Sequence, residues 1–148
     1  MKINGKTYFT TPLIQLSEKT IRKHLLPLTS PQSSCMRDII YDELFYKKIR
    51  KHRAIKQIAV VAKDKDEYIG WGLITIYSKK ESRYQVYVKP KYRRQKIGTE
   101  LAKRMESYLK RKGIDTYQVE PRNLRESARF FKSLGFSPKN WLKTNISV

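Results

Sequence analysis

V-Y-V-K-P-K-Y-R-R-Q-K-I-G-T-E-L, the stretch from Val86 to Leu101, carries the clearest structural signal in the chain. Its pattern predicts a strand, then a short basic loop that opens directly into an amphipathic helix. The first N–H groups of a helix have no partners within the helix, and the helix dipole favours an anion at that end. We therefore expect this stretch to form a cradle for the pyrophosphate of a phosphorylated cofactor.

Upstream of this stretch, residues 57–77 predict a β-hairpin, because a β-rich run, a charged turn and an alternating run follow one another. Gly70 and Gly72 are predicted on one face of the second strand, where a backbone or a ligand is able to approach closely. The residues predicted on its other face are Ile69, Trp71, Leu73 and Thr75. Residues 82–88 add a third strand, so the pattern indicates an antiparallel meander.

Apolar residues at helical spacing predict four helices, over residues 17–26, 36–51, 97–112 and 124–134. Ser17 and Asn123 are suited to cap the first and the fourth, and Gly113 is suited to end the third. Short strands are predicted over residues 114–119 and in the tail after Phe136. The order is that of a mixed α/β protein, a meander followed by strand–helix–strand–helix, in a single domain over residues 1–148.

The charge balance is strongly basic, since 33 Lys and Arg against 13 Asp and Glu give a net charge of +20. Such a charge costs self-repulsion in the folded state, which favours a polyanionic partner, and nucleic acid (DNA or tRNA) is the commonest kind. The alternatives are a surface tuned only for solubility or a Lys-rich proteome. No nucleic-acid recognition motif accompanies the charge.

The remaining composition bounds the class of protein. Cys35 is the only cysteine, so an intramolecular disulfide is impossible and a metal site built from cysteines is excluded. The N-terminal residues hold no long apolar run, and no stretch approaches the roughly 18–20 apolar residues of a membrane span. We expect a soluble cytoplasmic protein with no metal, acting as a monomer or a homodimer.

Three motifs in sequence order resemble the GNAT superfamily of N-acyltransferases. The hairpin A-V-V-A-K-D-K-D-E-Y-I-G-W-G-L-I is similar to the family's second and third strands, and residues 86–101 resemble its acetyl-CoA motif. R-E-S-A-R-F-F-K-S-L-G-F resembles the later helix, which in the family ends in F-Y-x-x-x-G-F. Together the motifs span residues 59–136. The resemblance implies a GNAT-like fold, with splayed central strands in a mostly antiparallel sheet flanked by helices, and acetyl-CoA as cosubstrate.

The resemblance also implies roles for the matching positions. Val86 to Val88 would offer main-chain groups to the pantetheine arm of acetyl-CoA, and the N–H of Val88 would donate to the oxyanion. The backbone N–H groups of the cradle would bind the pyrophosphate, and the cradle comprises Arg93, Arg94, Gln95, Lys96, Ile97, Gly98 and Thr99. The alternative interpretation of the basic residues is a surface turn before a helix.

Three positions depart from the family pattern. Lys96 replaces the first cradle glycine of Q/R-x-x-G-x-G/A, so its side chain must point away, and its charge would help to hold the phosphates. Phe131 stands where the family commonly has a tyrosine that protonates the departing thiolate, so the acid is missing, comes from elsewhere or is a water. The pair Phe130–Phe131 packs in the core or lines the cofactor tunnel. It lies one residue further from Asn123 than in the family, so Asn123 is a cofactor contact or only a helix cap.

A general base should take a proton from the acceptor amine. Glu120 is the first candidate because it ends the strand predicted to splay, and Tyr87 and Glu81 are the others. The alternative is that Glu120 only pairs with Arg122.

The predicted activity is transfer of an acetyl group from acetyl-CoA to a primary amine. The basic charge favours an anionic acceptor, such as an aminoacyl group on tRNA, a modified base in DNA or an acidic protein. A second hypothesis is a catalytically degenerate GNAT-fold protein that binds nucleic acid through its basic surface. A third is an acyl-CoA site used for regulation.

Overall fold

A seven-stranded sheet organises the part of the chain that the computed structural model describes, which is residues 2–3, 5–25, 56–78, 81–114, 116–119, 126–137 and 142–144. Its strands are β1 (Lys2–Ile3), β2 (Lys6–Pro12), β3 (Lys56–Asp64), β4 (Glu67–Ser78), β5 (Glu81–Val88), β6 (Thr116–Gln118) and β7 (Leu142–Thr144). The strands lie side by side in chain order, and every neighbouring pair is antiparallel except β5 and β6. The predicted mixed α/β fold with a mostly antiparallel sheet is confirmed.

Among the described residues, three helical segments flank the sheet: α1 (Glu18–Thr20, continuing as a π-helical turn over Ile21–Leu25), α2 (Ile97–Arg111) and α3 (Glu126–Ser133). The predicted cap at Ser17 is confirmed, because its Oγ accepts the N–H of Thr20 at 3.0 Å. Gly113 follows α2 at φ 77°, the left-handed conformation that ends helices. The predicted helix over residues 36–51 and the predicted cap Asn123 lie outside the described residues. No helix within the described ranges is long and apolar enough to cross a membrane.

The central strands are buried on both faces of the sheet. One face carries α2 and α3, and the helical stripe buried against it consists of Ile97, Leu101, Met105 and Leu109. The other face carries α1 and the 3-10 turn Leu13–Gln15, and the buried side chains there are Leu13, Ile21, Leu25, Ala59, Val61, Trp71 and Leu73. Burial of these two clusters supplies the main driving force for the fold.

A β-bulge changes the side on which one predicted residue lies. The pairing of β3 with β4 shifts between Ala62, which faces Gly70, and Lys63, which faces Tyr68. Ile69 is therefore an extra residue in β4, and an extra residue rotates its side chain out of the strand's alternation. It packs with the α2 cluster, whereas Trp71 packs on the opposite face. The prediction that Ile69 shares a face with Trp71 is wrong for this reason.

Gly70 and Gly72 allow close contacts with β4. A Cβ on Gly72 would lie 2.6 Å from the thioether of Met105 in α2, and a Cβ on Gly70 would lie 2.9 Å from the carbonyl oxygen of Tyr87 in β5. Both distances are shorter than a real Cβ tolerates, so only glycine fits this geometry without a shift. The close approach that the sequence predicts at these two positions is confirmed.

Candidate active site

The candidate site begins at the only parallel pair among the described strands. β5 and β6 pair at Arg83 and Gln118, near the start of β5, and the Ser82 hydroxyl donates to the carbonyl oxygen of Thr116 at 3.0 Å. β6 ends at Gln118, whereas β5 continues to Val88. Over residues 84–88, β5 therefore has a ladder partner on the β4 side alone within the described chain. This unpaired edge is where main-chain groups are open to a ligand.

The hydrogen-bond parity of β5 determines which residues face this edge. The N–H of Lys89 donates to the carbonyl oxygen of Ile69 at 2.7 Å. In an antiparallel ladder alternate pairs exchange hydrogen bonds, so the pair Tyr87–Trp71 is also hydrogen-bonded and the pair Gly70–Val88 is not. Val88, and Val86 by the same alternation, therefore turn their N–H and C=O groups away from β4 and toward β6.

The loop that precedes α2 offers donors and cations at the helix N-terminus. Arg94 and Lys96 adopt left-handed backbone conformations, with φ 66° and 62°, and both side chains are exposed. Lys96 is the N-cap residue and makes no side-chain cap, while its carbonyl oxygen accepts the N–H of Glu100 at 3.0 Å. Within the described part of the chain, the N–H groups of the first turn of α2 therefore stay available. Lys96 takes the positive φ that glycine favours, and its charged side chain extends into solvent.

Arg93 is attached to β5 rather than to the open part of the loop. Its backbone N–H donates to the carbonyl oxygen of Pro90 at 3.2 Å, and its Nε donates to the carbonyl oxygen of Val88 at 3.0 Å. Its guanidinium carbon lies 5.7 Å from the ring centroid of Tyr87. The N–H of Arg93 is thus already used, and the open donors begin at Arg94.

These features fit a pyrophosphate. Arg94 and Lys96 make no ion pair with any residue in the described chain, so two unneutralised cations flank the uncapped N–H groups of Ile97, Gly98 and Thr99. Anions bind at such helix ends because the dipole and the free donors act together. A phosphorylated cofactor held here would extend its arm along the open edge of β5.

A network of side chains holds the entrance of the loop on the hairpin turn. Lys89 Nζ lies 2.6 Å from Glu67 Oε2, and Lys91 Nζ lies 3.5 Å from the same oxygen. The Tyr92 hydroxyl donates to Glu67 Oε1 at 2.9 Å and lies 3.2 Å from Asp64 Oδ2. Glu67 thus ties the 3-10 turn Pro90–Tyr92 to β4. We call Asp64, Glu67, Lys89, Lys91 and Tyr92 the turn network.

Glu67→Gln tests the turn network through pH. Hydrogen bonds from Lys89 and Tyr92 lower the pKa of Glu67 from 4.5 to about 2. A carboxyl whose pKa is lower in the folded state stabilises the fold above its unfolded pKa and loses this contribution as pH falls through the folded pKa. At pH values over 4.5 we expect the Tm of the wild type to be higher than that of Glu67→Gln. This difference in Tm should disappear as the pH falls to about 2. Thermal melts followed by circular dichroism across that range measure it; a gap independent of pH would contradict the assignment.

The phenylalanine pair divides between the loop and the core. A Cβ on Gly98 would lie 3.3 Å from the ring of Phe130 and 3.5 Å from the side chain of Val88, so the Phe130 ring lies beside the first turn of α2. Phe131 is only 5 % exposed and contacts the rings of Tyr84 and Phe136 at centroid distances of 6.4 and 5.6 Å. Phe130 is thus the ring next to the cradle, and Phe131 packs behind it.

The hydroxyl of Tyr84 is engaged elsewhere. It donates to Glu106 Oε2 at 3.2 Å, and Glu106 Oε1 lies 2.7 Å from Lys143 Nζ of β7. Burial, followed by the charge and the hydrogen bond of Glu106, raises the pKa of Tyr84 far above its usual value. Tyr84 is therefore neutral, and its hydroxyl is used in the hydrogen bond to Glu106. Sequence reasoning missed this group because its partners come from β5, α2 and β7.

The candidate bases are placed differently by the structure. Tyr87 is half-buried beside the Trp71 cluster, on the sheet face opposite α2. The guanidinium of Arg93 lies over its ring. Glu81 begins β5, roughly 23 Å along the strand from Val88. Glu120 and Asn123 lie outside the described residues. Of the two candidate bases that the structure describes, Tyr87 is the one next to the open edge of β5.

A protein-family model matches part of the sequence, and solved structures share the fold. Residues 56–138 match the acetyltransferase (GNAT) domain family. No curated protein sequence matches the chain.

Several solved structures share the fold. An acetyltransferase from Streptococcus agalactiae is 14% identical, with 91% of this chain and 85% of that chain covered and a TM-score of 0.60. The PaiA N-acetyltransferase from Thermoplasma acidophilum, solved in complex with coenzyme A, is 18% identical, with 93% and 99% covered and a TM-score of 0.59. Ard1 from Thermoplasma volcanium is 18% identical, with 90% and 83% covered and a TM-score of 0.61. At such identities the likeness concerns the fold.

Proposed function

The chain belongs to the GNAT acetyltransferase family, an acyltransferase family whose cosubstrate is acetyl-CoA, and from this premise we propose that it acetylates a primary amine. The observation that carries the proposal is the N-terminus of α2, which has no side-chain cap and where Arg94 and Lys96 have no ion-pair partner among the described residues. The pyrophosphate of acetyl-CoA binds there, and Val86 and Val88 offer main-chain groups to the pantetheine arm. No metal takes part in the proposed transfer.

The proposed transfer needs a donor to the oxyanion, a general base and a general acid. The acceptor nitrogen attacks the thioester carbonyl, the C–N bond forms and the C–S bond breaks, with the sulfur leaving as the thiolate. The N–H of Val88 stabilises the oxyanion, because it points to the edge along which the thioester lies. A base, Glu120 or Tyr87, takes the proton of the attacking amine. The acid that protonates the thiolate is a water or a group beyond Phe131.

The proposed acceptor is anionic or bound to a nucleic acid. The chain carries +20, and the exposed cations of the cradle loop include Arg94 and Lys96. A strongly cationic acceptor such as a polyamine would be repelled by this field, whereas an aminoacyl group on tRNA, a modified base in DNA or an acidic protein would be attracted.

Calorimetric titration of acetyl-CoA into the purified protein, at moderate and at high salt, tests the cofactor site. We expect binding that survives high salt and distinguishes acetyl-CoA from butyryl-CoA, because main-chain donors and a shaped edge are not screened. Binding that disappears with salt would leave only non-specific attraction between CoA phosphates and a basic surface. The acceptor is then sought by incubation with acetyl-CoA and pools of tRNA, DNA and acidic proteins, with release of free CoA as the readout.

The alternative, a GNAT-fold protein that has lost chemistry and binds nucleic acid through its basic surface, is favoured by one observation. The ring of Phe131 carries no proton to donate and is packed edge-on between other rings, and the hydroxyl of neighbouring Tyr84 is committed to Glu106. The Tyr84 hydroxyl is therefore not free to act as the acid.

Phe131→Tyr separates the two functions. In an active acyltransferase we expect turnover to be kept or raised, by up to the 10²–10⁴-fold that a positioned acid contributes. In a pure binding protein the substitution changes neither CoA release nor nucleic-acid affinity. The added hydroxyl costs about 1 kcal/mol of stability where it stays buried, so a thermal melt accompanies the steady-state assay. Phe136→Tyr, in the same ring cluster, is the matched control, and an equal gain there would contradict a specific acid role for position 131.

A further inference from the structure

A cluster of cations surrounds one tyrosine at the far end of α2. Lys56 Nζ, the Arg111 guanidinium carbon and Lys112 Nζ lie 6.0, 5.9 and 5.6 Å from the ring centroid of Tyr108. The three cationic residues are exposed and Tyr108 is half-exposed. We call these four residues the α2 C-terminal patch.

The helix end by itself does not explain the α2 C-terminal patch. Arg111 and Lys112 suit the negative end of the helix dipole. Lys56, however, is the first residue of β3, and the fold brings it next to Tyr108. Within the described chain no carboxylate pairs with any of the three cations. Like charges gathered on one ring repel each other, and a bound polyanion would relieve that repulsion.

The segment that precedes Lys56 in the sequence is also rich in positive charge. Residues 47–56 contain six Lys or Arg, at positions 47, 48, 50, 51, 53 and 56. The α2 C-terminal patch is therefore continuous in sequence with the most basic segment of the chain.

We propose that the α2 C-terminal patch binds single-stranded nucleic acid, with Tyr108 stacking on a base and Lys56, Arg111 and Lys112 contacting the flanking phosphates. Cations around an aromatic ring are the elements of single-strand binding, because the ring takes a base face of any sequence and the cations follow the backbone. A duplex keeps its bases stacked within the helix and offers the ring none. A lipid surface would call for apolar anchors, which the α2 C-terminal patch lacks.

The position of the α2 C-terminal patch makes its occupancy independent of the cofactor. The 15 residues of α2 span about 22 Å, so the cradle at its N-terminus and the patch at its C-terminus are separate sites. A strand bound at the patch leaves the open edge of β5 free. The inference therefore does not depend on whether the chain turns over acetyl-CoA.

Fluorescence anisotropy with a short labelled oligothymidylate over a salt series tests the proposal. The triple variant Lys56→Gln/Arg111→Gln/Lys112→Gln should reduce the slope of log K against log salt by about 2, which is roughly 0.7 for each lost phosphate contact. Tyr108→Leu should weaken binding about tenfold, while Tyr108→Phe retains it because the stacking face is kept. Saturating coenzyme A should not displace the oligonucleotide.

The control is Lys65→Gln/Lys103→Gln/Lys132→Gln, which removes the same charge from exposed positions outside the α2 C-terminal patch. Equal losses in both triple variants would overturn the proposal, since net charge alone would then explain binding. So would unaltered binding by Tyr108→Leu, tighter binding of a matched duplex, displacement by coenzyme A, or a preference for anionic lipid vesicles. Measured by calorimetry, the affinity of the patch triple variant for acetyl-CoA should equal that of the wild type. This measurement shows whether the cofactor site is intact, independently of oligonucleotide binding.

Discussion

Replacing Gly70 by alanine is expected to lower the free energy of unfolding by about 2 kcal/mol, which corresponds to a drop in Tm of about 4–8 °C. The new methyl group would lie 2.9 Å from the carbonyl oxygen of Tyr87, and that oxygen belongs to a strand that cannot rotate away as a side chain does. β5 must therefore shift. Because Gly70 faces Val88 in the register, the shift moves the N–H that we assign to the oxyanion.

Gly70→Ala should lower catalytic activity as well as stability. A displacement of the reacting groups by a fraction of an ångström costs large factors in rate, so we expect kcat/KM for acetyl-CoA to fall at least about tenfold. Thermal melts and steady-state assays below the melting transition measure the two effects. Gly72→Ala is the comparison variant, because its methyl group meets the Met105 thioether at 2.6 Å and the carbonyl oxygen of Gln85 at 3.0 Å, and Gly72 faces Val86 rather than Val88. If Gly72→Ala lost as much activity as Gly70→Ala, the alignment of Val88 would not be the cause.

The double variant Arg94→Gln/Lys96→Gln is expected to weaken acetyl-CoA binding about tenfold at moderate salt, and by less at high salt. Both side chains are exposed and unpaired in the described chain, so their attraction for the phosphates is screened by ions. The phosphates lie far from the reacting carbon, so KM for acetyl-CoA should rise while kcat stays near the wild-type value. Calorimetry and steady-state kinetics give the two readouts.

Two further variants show whether the two cations act locally. Lys103→Gln/Lys132→Gln removes the same charge from exposed positions elsewhere and should leave acetyl-CoA affinity nearly unchanged. Lys96→Gly keeps the left-handed backbone at φ 62° without the charge, so it should lose part of the affinity and gain about 1 kcal/mol of stability. An affinity loss of the same size in Lys103→Gln/Lys132→Gln would assign the effect to the net charge of the protein.

The elements that could be predicted are those whose signals are local. The helix predicted over residues 97–112 is observed as Ile97–Arg111, because an apolar stripe repeating every four residues and a following glycine are properties of the segment itself. The hairpin from Lys56 to Ser78 was predictable for the same reason, since alternation and a charged turn are visible without the rest of the chain. The position of the cradle between strand and helix follows from both.

The parts that could not be predicted depend on partners distant in the sequence. The bulge that turns Ile69 to the α2 face is a matter of strand register. The Arg93 side chain contacts Val88 and Tyr87, and the Tyr84 hydroxyl donates a hydrogen bond to Glu106. In each case the folded arrangement decides which partner is near. Side chains of this length reach several neighbours, and sequence patterns carry no information about which one is nearest.

The sequence by itself determined the order of the elements, the family resemblance and the place of the cradle, because periodicity and turn residues act within a few positions of the chain. Only the tertiary structure decided which N–H groups stay open, which cations remain unpaired and which ring lies beside the cradle. These outcomes depend on the pairing of β5 with β4 and β6 and on the packing of α2 across the sheet. Contacts between distant segments are set by the free energy of the whole fold, so local patterns do not reveal them.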